Sequence, residues 1–199
     1  MPGIAGVTLR LADDVMGLVQ LAGRELGDPD PPLPFWAFAW AGGLAISRHL
    51  LEHPGIVAGR RVVDIATGSG LCAIVAARLG AASVLAADID PLAVAAATLN
   101  ARANDVRVVV TGRDLLAEPP PGCDVVLAGD VCYEERMAER MLAWLRAARG
   151  AGAEVLIGDP GRRFLPAGLE HVATYRVLTS REIEDAETKD AAVYALDGG

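Results

Sequence analysis

Residues 62–70, reading Val62, Val63, Asp64, Ile65, Ala66, Thr67, Gly68, Ser69, Gly70, constrain the fold of this 199-residue chain more than any other stretch. Val62, Val63 and Ile65 are β-branched and apolar, as in a strand covered on both faces in a parallel sheet, and residues 71–79 continue as a helix. The glycines therefore fall in a strand-to-helix turn. There the backbone can approach a ligand closely, and free N–H groups at the helix start favour polar or anionic groups. A second apolar run, residues 84–87, ends at Asp88, about twenty residues after the loop, where a carboxylate can take the two hydroxyls of a ribose. The pair reads as a nucleotide-type site; the simpler alternative is a β–α turn beside a surface aspartate.

Strand and helix alternate beyond the loop. Pro91 opens a helix to about residue 103, residues 106–110 and 125–128 read as strands, 134–149 as an amphipathic helix and 155–157 as a further strand. Alternation implies parallel crossovers, hence an α/β fold with a Rossmann-like, doubly wound sheet and helices on both faces. Asp88, Asp114 and Asp130 each follow a strand, so they converge on the rim where open parallel sheets bind ligands. Asp159, Pro160 and Gly161 make a turn. Residues 172–178 and 192–196 are strand-like around a charged connector, 182–190, and an antiparallel C-terminal hairpin brings the sheet to seven strands.

Before the loop, residues 8–26 carry apolar side chains at helical spacing, with Asp13 and Asp14 near the start. Four prolines in 28–34 make a stiff extended connection. Phe35, Trp36, Phe38 and Trp40 then precede Gly42 and Gly43, and either core packing or a pocket wall explains the cluster. A helix over 45–51 ends at Pro54 and Gly55. Within it His49, Leu50, Leu51, Glu52, His53 matches the H-x-x-E-H pattern of a zinc peptidase class, but solvated helix surface is the better reading and no metal is expected. One domain over 1–199 is expected, a helical and proline-aromatic segment to residue 55 and a Rossmann-like core over 56–199.

A hydrophobic fraction of 52% suits a sizeable core, and a net charge of −8 argues against a nucleic-acid partner, leaving a basic or neutral protein surface. Cys72, Cys123 and Cys132 show no metal-ligand spacing and fit reduced thiols. No run of eighteen apolar residues exists and the N-terminus lacks a basic region followed by an apolar stretch, so the expectation is a soluble, cytoplasmic monomer with no membrane partner.

The loop, then Asp88, Ile89, Asp90, Pro91 and Asp114, resembles the class I, seven-strand S-adenosylmethionine-dependent methyltransferases. Asp130, Val131, Cys132, Tyr133 is similar to the acidic-x-x-aromatic motif of their family 16 protein lysine methyltransferases. The likeness is greatest to those acting on the electron transfer flavoprotein β subunit, through Pro34, Phe35, Trp36, Ala37 with Trp40, Gly42, Gly43, through Gly129 and Asp130, and through Ile157, Gly158, Asp159, Pro160, Gly161, Arg162. The resemblance covers residue 34 to the C-terminus. It implies S-adenosylmethionine as cofactor, S-adenosylhomocysteine as product and a protein lysine as acceptor. Gly68 and Gly70 would approach the methionine part, Asp88 the ribose, Asp114 or Leu115 the adenine, and Trp40 would line the pocket. Gly129 and Asp130 would face the sulfonium, and Asp64, Ala66, Thr67 and Ile89 would complete the cofactor set. Asp130 would orient the ammonium and Tyr133 pack against the same chain. Two positions depart from the family: Ala41 stands where a proline often precedes the glycine pair, and Ala66 where the loop usually has its first glycine, tolerable provided its φ is below zero.

Ribosomal proteins are a competing substrate class. A nicotinamide-dependent oxidoreductase is the rival from another class, because Gly68, Gly70 and Ala73 also satisfy G-x-G-x-x-G/A, though no catalytic domain follows. A cofactor-binding module without catalysis is the third reading, with Asp130 and Tyr133 weighing against it.

Overall fold

Apolar runs without polar alternation become the inner strands of a sheet covered on both faces. The computed structural model describes residues 4, 6–12, 14–27, 33–179 and 186–196. Among them β1 (Arg61–Ile65), β2 (Ser83–Ala87), β3 (Val109–Thr111), β4 (Val125–Gly129), β5 (Glu154–Asp159), β6 (Glu170–Leu178) and β7 (Thr188–Ala195) form one sheet in the order β3-β2-β1-β4-β5-β7-β6. Strands β1 to β5 are parallel, β7 is antiparallel to β5, and β6 to β7. The expected hairpin is present, with its second strand inserted next to the parallel block.

Alternate residues serve opposite faces. Val62, Val125, Leu127 and Leu156 pack in one core with α2 (Ala41–Glu52) and α3 (Leu71–Arg78). Val63, Ile65, Val126, Ala128, Val155 and Ile157 pack in the other with α5 (Glu135–Gly150). The chain runs outward from β1 to β2 and β3, then returns to β4 on the far side of β1. That reversal is the switch point at which open sheets form a crevice.

Several expected boundaries move, each because of a tertiary partner. Helix α1 is Val15–Leu26, capped by Asp14, whose carboxylate accepts from Gly17 N, and ended by Gly27 at φ 65. Residues 8–12 are not helical, since Thr8 N and Arg10 N donate to the side-chain oxygens of Asn104 and Asn100. Asn100 and Asn104 lie on and just after α4 (Pro91–Ala103). Strand β3 starts at Val109 rather than 106, because Val106 N closes the end of α4 on Ala101 O. Helix α2 begins four residues earlier than expected. Asp13, residues 28–32 of the proline stretch and 182–185 of the connector lie outside the described residues. No helix among the described residues is long and apolar enough to cross a membrane.

Candidate active site

The carboxyl ends of β1 to β5 surround a cavity of about 370 Å³, within the size range of small-molecule sites. Trp40, Ala66, Gly68, Asp88, Ile89, Asp114, Leu115, Gly129, Asp130 and Tyr133 all line it, so the rim on which the aspartates were expected to converge exists as one crevice. Asp64, Thr67 and Gly70 do not line it. Asp64 and Thr67 border a small adjoining cavity of about 50 Å³, which Gly68, Gly129 and Asp130 share. Gly70, at φ 82, lines neither: a Cβ there would meet Ala97 of α4 at 3.1 Å, so this glycine lets helix and loop pack closely. Ala66 does not meet the proviso placed on it. Its φ is 53, in the left-handed region, which costs an alanine roughly 1–2 kcal/mol while its methyl packs against the α5-side core.

At the β2 end, Asp88 ties the crevice together. Its Oδ2 accepts from Gly68 N at 2.9 Å and its Oδ1 from Asp90 N at 3.0 Å, and each oxygen can accept a further hydrogen bond. Burial pushes the Asp88 carboxyl up, and these N–H groups pull it back. Asp90 caps α4 through Leu92 N, with Pro91 in the first turn. Asp114 caps a 3-10 turn through Leu116 N at 3.0 Å and pairs with Arg140 Nη2 at 3.1 Å, while Leu115 is buried.

Under the glycine loop, Asp64 accepts from Thr67 Oγ1 at 2.5 Å and Ala73 N at 3.0 Å. Burial pushes its carboxyl up to about 7, against those two hydrogen bonds, with the Asp88 charge adding to the rise. A free aspartate titrates near ~3.9, so the folded chain holds a proton that the unfolded chain lacks between the two values. The stabilisation from this group is complete below about 4 and lost as pH rises through about 7. Stability measured by denaturant should fall between about pH 4 and pH 7, and Asp64→Asn, which keeps an acceptor oxygen, should remove that share of the fall. An unaltered slope in the variant would mean that Asp64 is already ionised in the folded chain.

At the β4 end, Asp130 has φ 60, and its carboxylate crosses to the start of α2. Oδ1 accepts from Gly42 N at 3.0 Å and from Arg162 Nη1 at 2.5 Å, and Oδ2 accepts from Gly43 N at 2.7 Å. Burial pushes this carboxyl up, and the Arg162 charge pulls it down. The helix that Asp130 caps is α2, 88 residues away. Tyr133 is 49% exposed with its ring 5.4 Å from Phe35, and burial with the Asp88 charge pushes its hydroxyl up.

The aromatic cluster serves both purposes left open by the sequence. Phe38 is core, while Phe35, Trp36 and Trp40 wall the cavity, Trp40 Nε1 donating to Phe35 O at 2.7 Å. Sequence reasoning missed Met137, Arg140 and Met141, which reach the cavity from one face of α5 at i, i+3, i+4 spacing. His49 corrects another expectation: it is buried, with Nδ1 3.0 Å from the Tyr175 hydroxyl, whereas Glu52 and His53 are exposed as expected. The three cysteines are free.

Residues 47–129 match the ribosomal protein L11 methyltransferase (PrmA) family. The chain is 41% identical to the electron transfer flavoprotein beta subunit lysine methyltransferase of Danio rerio over 133 residues, 66% of this chain and 52% of that protein. It is 36% identical to the protein of the same name from Xenopus laevis over 171 residues, 82% of this chain and 70% of that one. It spans about half the length of the zebrafish relative and more of the frog one. Magnesium protoporphyrin IX methyltransferase from Synechocystis PCC 6803, solved with bound SAM, shares the fold: TM-score 0.59 at 17% identity, over 96% of this chain and 100% of that one.

Proposed function

The chain belongs to the electron transfer flavoprotein beta subunit lysine methyltransferase family, and we propose that it transfers a methyl group from S-adenosylmethionine to a lysine amine of a folded protein, with the electron transfer flavoprotein β subunit as first candidate. The observation carrying this reading is that one cavity joins the Asp88 end to the Asp130 and Tyr133 end, so that two ligands can meet within it. The residues present fit the cofactor. Asp88 keeps acceptor capacity for two ribose hydroxyls, Leu115 and Met141 supply apolar wall for a ring, and Gly68 at φ 52 leaves the loop open in front of β1. Bound there, S-adenosylmethionine supplies an electrophilic methyl on a sulfonium. What remains for the chain is to hold an unprotonated nitrogen in line and close, where orientation supplies most of the rate. Trp40, Gly129 and Tyr133 wall the space at the β4 end, and Tyr133, half exposed, would pack against the entering side chain. Membership of the family displaces the nicotinamide reading. A ribosomal protein is the second candidate acceptor, favoured by the match over 47–129.

Two measurements test the reading. Asp88→Ala should weaken S-adenosylmethionine binding at least about tenfold by calorimetry, since two hydrogen bonds to a charged acceptor are worth roughly 1.5–3 kcal/mol each. Unchanged affinity would remove Asp88 from the site. Incubation with methyl-labelled cofactor should label the purified β subunit; label appearing instead in RNA or a small amine, with both protein candidates blank, would sink the lysine assignment.

A further inference from the structure

Asp130 is an unusual place for a substrate cation to dock, because its oxygens already carry three donors. Two are backbone N–H groups at the start of α2, where the helix dipole adds positive potential, and the third is the Arg162 guanidinium at 2.5 Å. Arg162 is held in turn from behind. Asp159 Oδ1 accepts from Gly161 N at 2.7 Å and Arg162 N at 2.6 Å, and Asp159 Oδ2 lies 3.5 Å from Arg162 Nη1. Arg162 lines the cavity beside Asp130 and Tyr133, whereas Asp159 is fully covered and does not line it. The other titratable groups packed here include Cys72, Cys132 and Tyr133, all pushed up by burial and therefore neutral near pH 7, and Asp64, which shares the small adjoining cavity with Asp130 and is pushed up to about 7. Asp130, Asp159 and Arg162 thus sum to one negative charge; without the guanidinium they would sum to two, with an Asp130 oxygen open to the cavity.

A methyl acceptor needs a lone pair, and a free lysine is an ammonium at neutral pH. A bare buried carboxylate would bind that ammonium well and hold its proton, which helps binding and hinders transfer. We propose that Arg162 is a positioning residue for the acceptor: by occupying Asp130 it stops that carboxylate from trapping the entering lysine as an ammonium, and so favours the neutral amine at the transfer point. In the step itself the nitrogen lone pair forms the new N–C bond as the C–S bond breaks with its electron pair going to sulfur, and the proton surrendered beforehand goes to water. The inference rests on the lysine methyltransferase reading.

The test is the pH dependence of kcat and KM on the β subunit, from about pH 6 to about pH 10, at saturating S-adenosylmethionine. Arg162→Gln should move the midpoint of the kcat profile up by on the order of one pH unit and lower KM, while Arg162→Lys stays near the native curve. A uniform loss at every pH, with the midpoint unmoved, would make Arg162 a structural latch and overturn the proposal. Should Arg162→Gln fail to fold, the double variant Asp130→Asn, Arg162→Gln replaces the ion pair by an amide pair. Its midpoint should lie at or below the native value, and a raised midpoint there is also fatal. Failure of the native chain to methylate any lysine would bring down the inference together with the reading beneath it; native transfer with an unshifted Arg162→Gln profile would bring down the inference alone.

Discussion

Asp130→Ala should lower the stability of the chain by about 3 kcal/mol, a fall of about 10 °C in thermal midpoint for a protein of this size. The side chain is only 11% exposed, and its removal takes an acceptor from three donors at once. Gly42 N and Gly43 N lose the carboxylate that caps them, and Arg162 Nη1 loses its 2.5 Å partner. Breaking one partner of such a pair costs more than the pair contributes, because the remaining charge stays desolvated. Asparagine is a poor substitute, since its single acceptor oxygen can serve one side while its NH2 faces another donor. Backbone strain adds a control. At φ 60 an alanine pays roughly 1 kcal/mol that glycine does not, so Asp130→Gly should be the less damaging of the two. Thermal denaturation followed by circular dichroism checks the order native, then Gly, then Ala. If Asp130 served substrate alone, the alanine variant would melt with the native chain and the glycine variant at or above it.

The parts of this molecule legible in the sequence are those whose causes are local. The strand, glycine loop and helix over 62–79, the carboxylate after β2, and the closing hairpin each follow from period, spacing and turn chemistry within a few residues. Asp88, Asp114 and Asp130 reach one crevice because strand ends in a parallel sheet share an edge, a topological consequence that needs no contact map. What stayed hidden depends on partners distant in the chain. Asp130 looked like an acid free to orient the ammonium, and nothing near it announces bonds to Gly42 and Gly43. His49 looked like helix surface, since Tyr175 lies 126 residues on. The start of α1 moved because Asn100 and Asn104 take the backbone of the residues before it. Ala66 broke the opposite way: a residue type that argues for negative φ is held at positive φ by the loop around it, where its methyl gains a place in the core.

The largest loss of stability is expected from one added methyl, Gly42→Ala, with its neighbour as the control. A Cβ on Gly42 would stand 2.1 Å from Gly158 O and 2.5 Å from Gly158 C, both backbone atoms of β5 that have no rotamer with which to yield. The contact is reciprocal, since a Cβ on Gly158 would meet Gly42 O at 2.2 Å, and next to it a Cβ on Gly129 would meet Gly43 Cα at 2.9 Å. The start of α2 therefore rests directly on the ends of β4 and β5, and this closeness is what lets Asp130 reach Gly42 N and Gly43 N. To admit the methyl, the helix must lift from the sheet, which opens the core beneath and breaks the Asp130 bonds together. Overpacking of this kind with loss of a cap should cost about 4 kcal/mol or more, against a gain of about 1 kcal/mol in helix propensity. Gly43→Ala carries the same propensity gain, yet its Cβ would find only Cys72 Sγ at 3.7 Å and Asp130 Oδ2 at 3.9 Å, ordinary contacts. That variant should be as stable as the native chain or slightly more so. Denaturant titration of the two variants side by side decides the matter: equal stabilities would mean that α2 does not sit on β5 through Gly42, and the clamp that joins Asp130, Arg162 and the Trp40 wall would lose its foundation.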